Sequence, residues 1–144
     1  MNEIYQKTIA ILRSLSCYYQ TTHWLASGSQ YYGDHLLLQR LYDAVTPEID
    51  VFGEKALGIT KQDSAVNLIE NISMVSKIIN NMEYGSVEIC FKSALKLERA
   101  FVMFCEEQSA SNENSEGVKN LFAGTADIHE GHVYLLQQRV SGVF

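Results

Sequence analysis

The segment "TTHWLASGSQYYGDHLLLQRLYDAVTPEIDVFGEKALG", Thr21–Gly58, decides the fold and raises the question of function. It contains two of the four histidines of the chain, its one tryptophan and its one proline. The candidate ligands within it are His23, His35, Asp50 and Glu54. Imidazole nitrogens and carboxylate oxygens together suit iron, zinc or manganese. The first question is therefore whether these four side chains can form one metal site.

Apolar residues recur at helical spacing along almost the whole chain, and no stretch alternates with a period of two. The length of 144 residues and the 47% hydrophobic content suit one domain with a single core, residues 1–144. The pattern predicts four long helices, near residues 1–26, 31–56, 86–109 and 118–140, and a shorter helical segment near residues 65–80 that Asp63 or Ser64 caps. The expected fold is all-α: a ferritin-like four-helix bundle with a long crossover connection between the second and third long helices.

Pro47 lies inside the second predicted helix, and two interpretations of it are open. The core positions of this helix are Leu38, Tyr42, Val45, Ile49, Phe52 and Ala56. Their spacing runs through the proline unchanged, which favours a continuous helix that is kinked near Asp43 and ends at Gly58. In the alternative, Thr46 caps a new helix whose first residue is Pro47. The choice matters because Pro47 separates the two histidines from the two acids.

The composition excludes several classes of protein. A net charge of −6 with only 11 Lys and Arg residues argues against nucleic-acid binding, which depends on neutralising phosphates. No apolar run approaches the roughly 18 residues of a membrane span, and the N-terminus does not have the pattern of a secretion signal. Three cysteines without close spacing predict buried thiols in a reducing compartment, so a cytoplasmic location is expected.

Helix geometry separates the candidate ligands. Asp50 and Glu54, four residues apart, project from the same face of the second helix. His35 precedes Asp50 by 15 residues, which corresponds to roughly 22 Å along a helix. One chain with a continuous second helix therefore cannot bring all four side chains to one ion. If they do share a metal, the histidines come from one chain and the acids from another, at a subunit interface.

The same residues resemble a known signature. His23 followed by Trp24, then Gly28, His35, Asp50 and Glu54, with the closing residues "EKALG", is similar to the ferroxidase centre of the Dps (DNA-protection-during-starvation) proteins. These proteins are a branch of the ferritin-like superfamily. The segment "TADIHEGHVYLLQQ" near the end of the chain also resembles the last helix of that family. The resemblance covers most of the chain in outline, and its diagnostic part is Thr21–Gly58.

The resemblance implies a function. Such proteins assemble into a hollow shell of twelve subunits, oxidise Fe(II) with hydrogen peroxide or oxygen, and store the ferric product inside. His23 and His35 would then be iron ligands from one chain, and Asp50 and Glu54 ligands from its neighbour, with Trp24 as a nearby redox-active aromatic. The alternative is a non-catalytic scaffold or a DNA-binding module of the same fold. DNA binding is not expected, because the chain ends lack a lysine-rich tail.

The remaining histidines suggest a second polar group. Glu98 and His132 fall on the apolar stripes of the third and fourth long helices, which we place at Val87, Phe91, Ala94, Glu98 and Phe101, and at Leu121, Thr125, Ile128, His132 and Leu135. A buried glutamate needs a partner. The simpler expectation is a hydrogen bond between Glu98 and His132 or to a helix, and a metal site is the alternative. "HEGH", residues 129–132, has the wrong spacing for a zinc protease, and no Glu-x-x-His pair of the ferritin type occurs.

Overall fold

The computed structural model describes residues 2–141, which form five α-helices, one 3₁₀ turn and no strand. The elements are α1 (Asn2–Leu25), α2 (Tyr31–Thr60), the 3₁₀ turn (Asp63–Val66), α3 (Leu68–Asn80), α4 (Val87–Ala110) and α5 (Glu116–Val140). The all-α prediction is confirmed. The chain divides into two compact units, Met1–Glu83 and Tyr84–Phe144. None of the helices within residues 2–141 combines the length and the apolar character that crossing a bilayer requires.

In the first unit, α1 packs along α2 and also contacts α3. The buried residues of the two long helices are mostly large and apolar, and include Leu12, Leu15, Leu41, Val45 and Phe52. The turn between the helices contains Gly28, whose φ of +87° lies in the left-handed region that glycine enters without steric cost. Because this turn is short, the end of α1 lies beside the beginning of α2.

Helix α2 continues through Pro47, as the apolar spacing predicts, and Thr46 does not start a new helix. The hydroxyl of Thr46 donates to the carbonyl of Tyr42 at 2.7 Å. The predicted end at Gly58 is wrong, because the helix runs on to Thr60 and ends on Lys61, which has a φ of 55° and donates its backbone N–H to Leu57. Thr60 also donates to the carbonyl of Ala56 at 2.7 Å, so the last turn is hydrogen-bonded without a glycine stop.

Helix α3 differs from its prediction at its start and in its packing. Asn67, rather than Asp63 or Ser64, is the N-cap, because its side chain accepts from the backbone N–H of Glu70 while the preceding residues form the 3₁₀ turn. The apolar residues of the helix are not buried within the chain: the exposed fractions are 61% for Leu68, 83% for Ile69 and 51% for Ile72. The buried face of α3 is instead marked by a polar residue, Asn71.

Asn71 joins α3 to α1 through hydrogen bonds. Its amide nitrogen donates to the backbone carbonyl of Gln6 at 2.9 Å and to the Gln6 side chain at 2.7 Å. Its amide oxygen accepts from Arg13 at 2.7 Å. Asn71 is 1% exposed, so these bonds replace water that the side chain has lost. These hydrogen bonds, which we call the Asn71 clamp, therefore hold α3 against α1.

The second unit is a pair of helices, α4 and α5, that pack against each other. Ser86 and Ser115 cap them, each accepting from a backbone N–H in the first turn. Arg139 lies over the ring of Phe91 and donates to Glu88 at 3.0 Å, which lowers the pKa of the Glu88 carboxyl. These contacts join the end of α5 to the beginning of α4.

The cysteines agree with their prediction in part. None of the three forms a disulfide, and Cys90 and Cys105 are buried on α4. The prediction of a buried thiol is wrong for Cys17, which is exposed on the outer face of α1. The neighbouring residues Tyr18 and Tyr19 occupy the core at that point of the helix, and the side chain of Cys17 therefore points away from it.

Replacing Asn71 with alanine should lower the free energy of unfolding by about 1–3 kcal/mol, because buried Gln6 and half-buried Arg13 lose their partner. Urea unfolding followed by circular dichroism measures the change. Asn80→Ala, an exposed position on the same helix, is the matched control and should have little effect. Equal destabilisation by the two substitutions would contradict the role of the clamp.

Candidate metal centre

His23 and His35 lie face to face where α1 ends and α2 begins. His23 is in the last turn of α1 and is 7% exposed, while His35 is half-buried near the start of α2. The two imidazole rings stack with their centroids 3.6 Å apart and their planes at 21°. The structure therefore brings together the two histidines that are 12 residues apart in the sequence.

Hydrogen bonds determine which nitrogen of each ring carries the proton. Nδ1 of His23 is 2.8 Å from the backbone carbonyl oxygen of His35, and Nδ1 of His35 is 3.2 Å from that of His23. A carbonyl oxygen can only accept, so both Nδ1 atoms donate. In the neutral rings Nε2 then carries the lone pair, which is the tautomer a metal ligand requires, and Nε2 of His23 can accept from the hydroxyl of Tyr42. The carbonyl of His23 belongs to the last turn of α1 and has no partner within the helix, which explains why it is available.

Aromatic side chains surround the histidine pair. The ring of Tyr31 stacks on His35 with centroids 5.0 Å apart, and Tyr42 meets His23 edge-on with its hydroxyl 3.5 Å from Nε2. Trp24 is 67% exposed. Trp24, which follows His23 in the sequence, is therefore accessible to solvent.

Asp50 and Glu54 lie on the surface of α2, one turn apart. Both are exposed, and both line a groove of about 320 Å³ together with Arg13 and Asn71. Arg13 donates to Asn71, so its guanidinium is held at this position in the groove wall. The carboxylates are therefore accessible to an ion from outside the chain.

Within one chain, the structure does not assemble the four predicted ligands. Among residues 2–141, the close groups of three or more possible ligand side chains include neither the two histidines nor the two acids. Helix α2 is unbroken between His35 and Asp50, so their separation of roughly 22 Å stands. A site that uses all four residues requires two chains, and it remains a prediction.

The structure does assemble a different group. Glu98 on α4 and His129 and His132 on α5 each offer a ligand atom, and these atoms lie within 4.8 Å of one another. Their exposed fractions are 0%, 0% and 6%, respectively. His129 Nδ1 is 2.5 Å from Glu98 Oε2, and His132 Nδ1 is 3.4 Å from Oε1. This group, which we call the buried triad, could hold a metal ion.

The charge of Glu98 depends on the two histidines. Burial acts to raise the pKa of its carboxyl, but the hydrogen bond with His129 and the neighbouring His132 ring outweigh burial and lower the pKa to about 2. The glutamate is thus an anion in the core, and its nearest partner is the ring of His129. The expected hydrogen bond between Glu98 and His132 is replaced by one between Glu98 and His129.

The buried face of α5 is rotated relative to the predicted stripe, which therefore omits His129. Of its five positions, Ile128 is 48% exposed and Leu121 and Leu135 are only partly buried. The buried face is formed by Val118, Phe122, Thr125, Ala126, His129, His132 and Leu136. These buried residues also follow a three- and four-residue spacing. The large apolar residues among them, such as Phe122 and Leu136, are the signal in the sequence that marks this face as the buried one.

Comparisons with known proteins support the fold. The X-ray structure of Dps from Thermosynechococcus elongatus matches with a TM-score of 0.83, covering 97% of this chain and 89% of that chain at 15% identity. No family model matches the chain, and no curated protein matches its sequence. The chain therefore has a Dps-like fold, the ferritin-like four-helix bundle that the helix pattern predicts. At this identity the likeness concerns the fold alone.

Acid should weaken the metal-free protein through Glu98. Because its pKa is below the ordinary value of 4.5, its contribution to stability is complete above about pH 4.5 and is lost as the pH falls towards about 2. That contribution is on the order of 3 kcal/mol. Urea unfolding across this range should show a steeper loss for the wild type than for Glu98→Gln.

The matched control is Glu107→Gln, which alters an exposed glutamate on the same helix and should follow the wild type. A parallel loss of stability in the wild type and in Glu98→Gln would mean that Glu98 is not an ion-paired anion in the folded protein.

Proposed function

We propose that this protein is a ferroxidase that oxidises Fe(II) and stores the ferric product within a homo-oligomeric cage. The observation that carries the proposal is the histidine pair, in which hydrogen bonds from Nδ1 to backbone carbonyls put the lone pair of each neutral ring on Nε2. Histidines that bind metals commonly donate their other ring nitrogen to a carbonyl or a carboxylate. The pair is prepared for a metal before any ion arrives.

The acids supply the other half of the proposed site. Two imidazole nitrogens leave an iron ion without anionic ligands, and the carboxylates of Asp50 and Glu54 are exposed and one turn apart. Since α2 holds Asp50 roughly 22 Å from His35 and Glu54 one turn farther away, the acids that complete a site belong to a second chain. Each subunit would then contribute histidines to one site and acids to another.

Exposed apolar residues support an assembly of several chains. Leu68, Ile69 and Ile72 are exposed on α3, and Leu25 and Tyr32 are exposed near the histidine pair at 59% and 72%. Exposed apolar surface of this kind commonly marks a site of protein contact. Together with the fold shared with Dps, it supports a homo-oligomer, for which we propose the twelve-subunit shell.

Iron is the substrate in this proposal, and hydrogen peroxide or oxygen is the oxidant. Each Fe(II) gives up one electron, so two iron ions reduce one peroxide to two hydroxide ions. Carboxylate ligands favour the ferric product because they place negative charge beside the more highly charged ion. Trp24, exposed beside His23, would take up oxidising equivalents that stray from the site.

The proposed setting is the cytoplasm, where cysteines remain as thiols, in agreement with the absence of disulfides among the three. The net charge of −6 favours cations as partners and disfavours DNA. We therefore propose iron detoxification and storage without DNA coating.

His35→Ala and Asp50→Ala should each lower the rate of Fe(II) oxidation by about a hundredfold or more. Loss of a residue that only hydrogen-bonds to a metal ligand typically costs about 10- to 100-fold, and loss of the ligand itself should cost more. Stopped-flow absorbance of the ferric product measures the rate. Asp127→Ala, at an exposed acid on α5, is the control and should keep the wild-type rate. Rapid oxidation by both ligand variants would overturn the proposed site.

Mixed assemblies test whether two chains share a site. When the His35→Ala and Asp50→Ala chains are unfolded together and reassembled in equal amounts, about a quarter of the sites should receive both intact halves. The mixture should therefore regain activity that neither variant has alone. A mixture as inactive as its parents would mean that the ligands come from one chain.

Changing Ile69 and Ile72 to glutamate should weaken the assembly, because both side chains are exposed and the new charges would be buried in an interface. Light scattering after size-exclusion chromatography should show the mass falling towards the 16.2 kDa of one chain, with unchanged helical circular dichroism. A wild-type protein that is itself monomeric would contradict the cage.

A further inference from the structure

The buried triad contains one more polar group than an ion pair needs. Glu98 and His129 satisfy each other at 2.5 Å. Within the described part of the chain, Nδ1 of His132 is buried and has no hydrogen-bond partner, and its distance of 3.4 Å from Glu98 lacks hydrogen-bond geometry. Buried polar atoms are nearly always paired, so an exception calls for a physical explanation. A cation between the three side chains would supply the missing partner.

The donor atoms indicate which cations would fit. Two imidazole nitrogens and one carboxylate oxygen suit zinc, iron and cobalt, whereas magnesium and calcium prefer oxygen ligands alone. A His₂Glu set is also an established zinc ligand set, in which a water molecule completes the tetrahedron. Because His129 and His132 are three residues apart on α5, both rings can face the same point on α4.

A cluster of aromatic rings from both helices packs beside the triad. Phe101 meets His129 edge-on with centroids 4.7 Å apart, and Phe104 lies against Phe101 and Phe122 at 6.0–6.4 Å. The two histidine rings are themselves edge-on at 4.7 Å. Such packing keeps the rings in place and limits the access of water. An ion held there would exchange slowly, unlike iron that is turned over as a substrate.

We propose that Glu98, His129 and His132 form a mononuclear site, within one chain, for a first-row divalent transition-metal ion of the zinc type. The ion would join α4 to α5 and stabilise this helix pair. The site is independent of the proposed ferroxidase function, because it uses none of the four residues assigned to the iron site. Both kinds of site can therefore be tested separately in the same protein.

Cobalt(II) is a suitable probe, since its visible absorption reports the ligand geometry. The full chain carrying His35→Ala, which removes a histidine of the other site, is stripped with a chelator and titrated with Co²⁺. The expected result is an absorption band that saturates at one equivalent per chain, is abolished by Zn²⁺ and is unaffected by Mg²⁺. The melting temperature should rise when Zn²⁺ is added.

Further variants in the same background identify the ligands. Glu98→Gln and His132→Gln should each remove the band, whereas Glu107→Gln, at an exposed position of α4, should retain it. Circular dichroism checks that each variant is folded. His132→Gln should destabilise the fold less than Glu98→Gln, because Nδ1 of His132 makes no hydrogen bond that the substitution would remove.

Two outcomes would overturn the proposal. One is the absence of saturable Co²⁺ binding to the His35→Ala protein, a result that does not depend on the folding of any core variant. The other is a band that survives in folded Glu98→Gln and folded His132→Gln. Either result would leave the triad as a buried ion pair with an adjacent histidine. Neither outcome bears on the proposed ferroxidase site, which is tested separately by the iron oxidation rate of the wild type.

Discussion

The continuity of α2 is the constraint on which the rest of the account depends. A helix of 30 residues holds its side chains at fixed separations, and Pro47 does not break it. The histidine end and the acid end of the segment are therefore roughly 22 Å apart in every copy of the chain. Because α2 is rigid, the proposed iron site must be divided between two subunits. Iron oxidation would therefore require assembly.

The two candidate metal sites differ in the way their ligands are prepared. Where α1 ends and α2 begins, hydrogen bonds to backbone carbonyls fix the tautomers of His23 and His35, and the acids lie exposed on a groove farther along α2. In the core, Glu98 is already paired with His129 in the absence of an ion. The accessible halves suit a substrate that must enter and leave, whereas the enclosed triad suits an ion that stays.

Much of the fold could be predicted because helical periodicity is a local property. The existence of the four long helices and the continuity of α2 through Pro47 follow from the spacing of apolar residues, whereas the end of α2 at Thr60 does not. The packing of α3 could not be predicted, because its isoleucines have the pattern of a buried face although the buried residue is Asn71. A sequence does not state whether an apolar face is covered by its own chain or by another.

The site was predicted unevenly for similar reasons. The pairing of His23 with His35 depends on the short turn at Gly28, which fixes the approach of α1 to α2. The role of His129 depends on the rotation of α5 about its axis, and a shift of one residue in the assumed stripe was enough to conceal it. Periodicity identifies a helix more reliably than it identifies which face points inward, because two neighbouring registers can carry similar numbers of apolar residues.

The most direct measurement is a crystal structure of the iron-soaked protein with anomalous scattering at the iron edge. An anomalous peak is expected between His23 and His35 of one subunit and Asp50 and Glu54 of the adjacent one, within bonding distance of all four side chains. Iron bound by the histidines with no carboxylate from a second chain, or by the acids without histidines, would contradict the shared site.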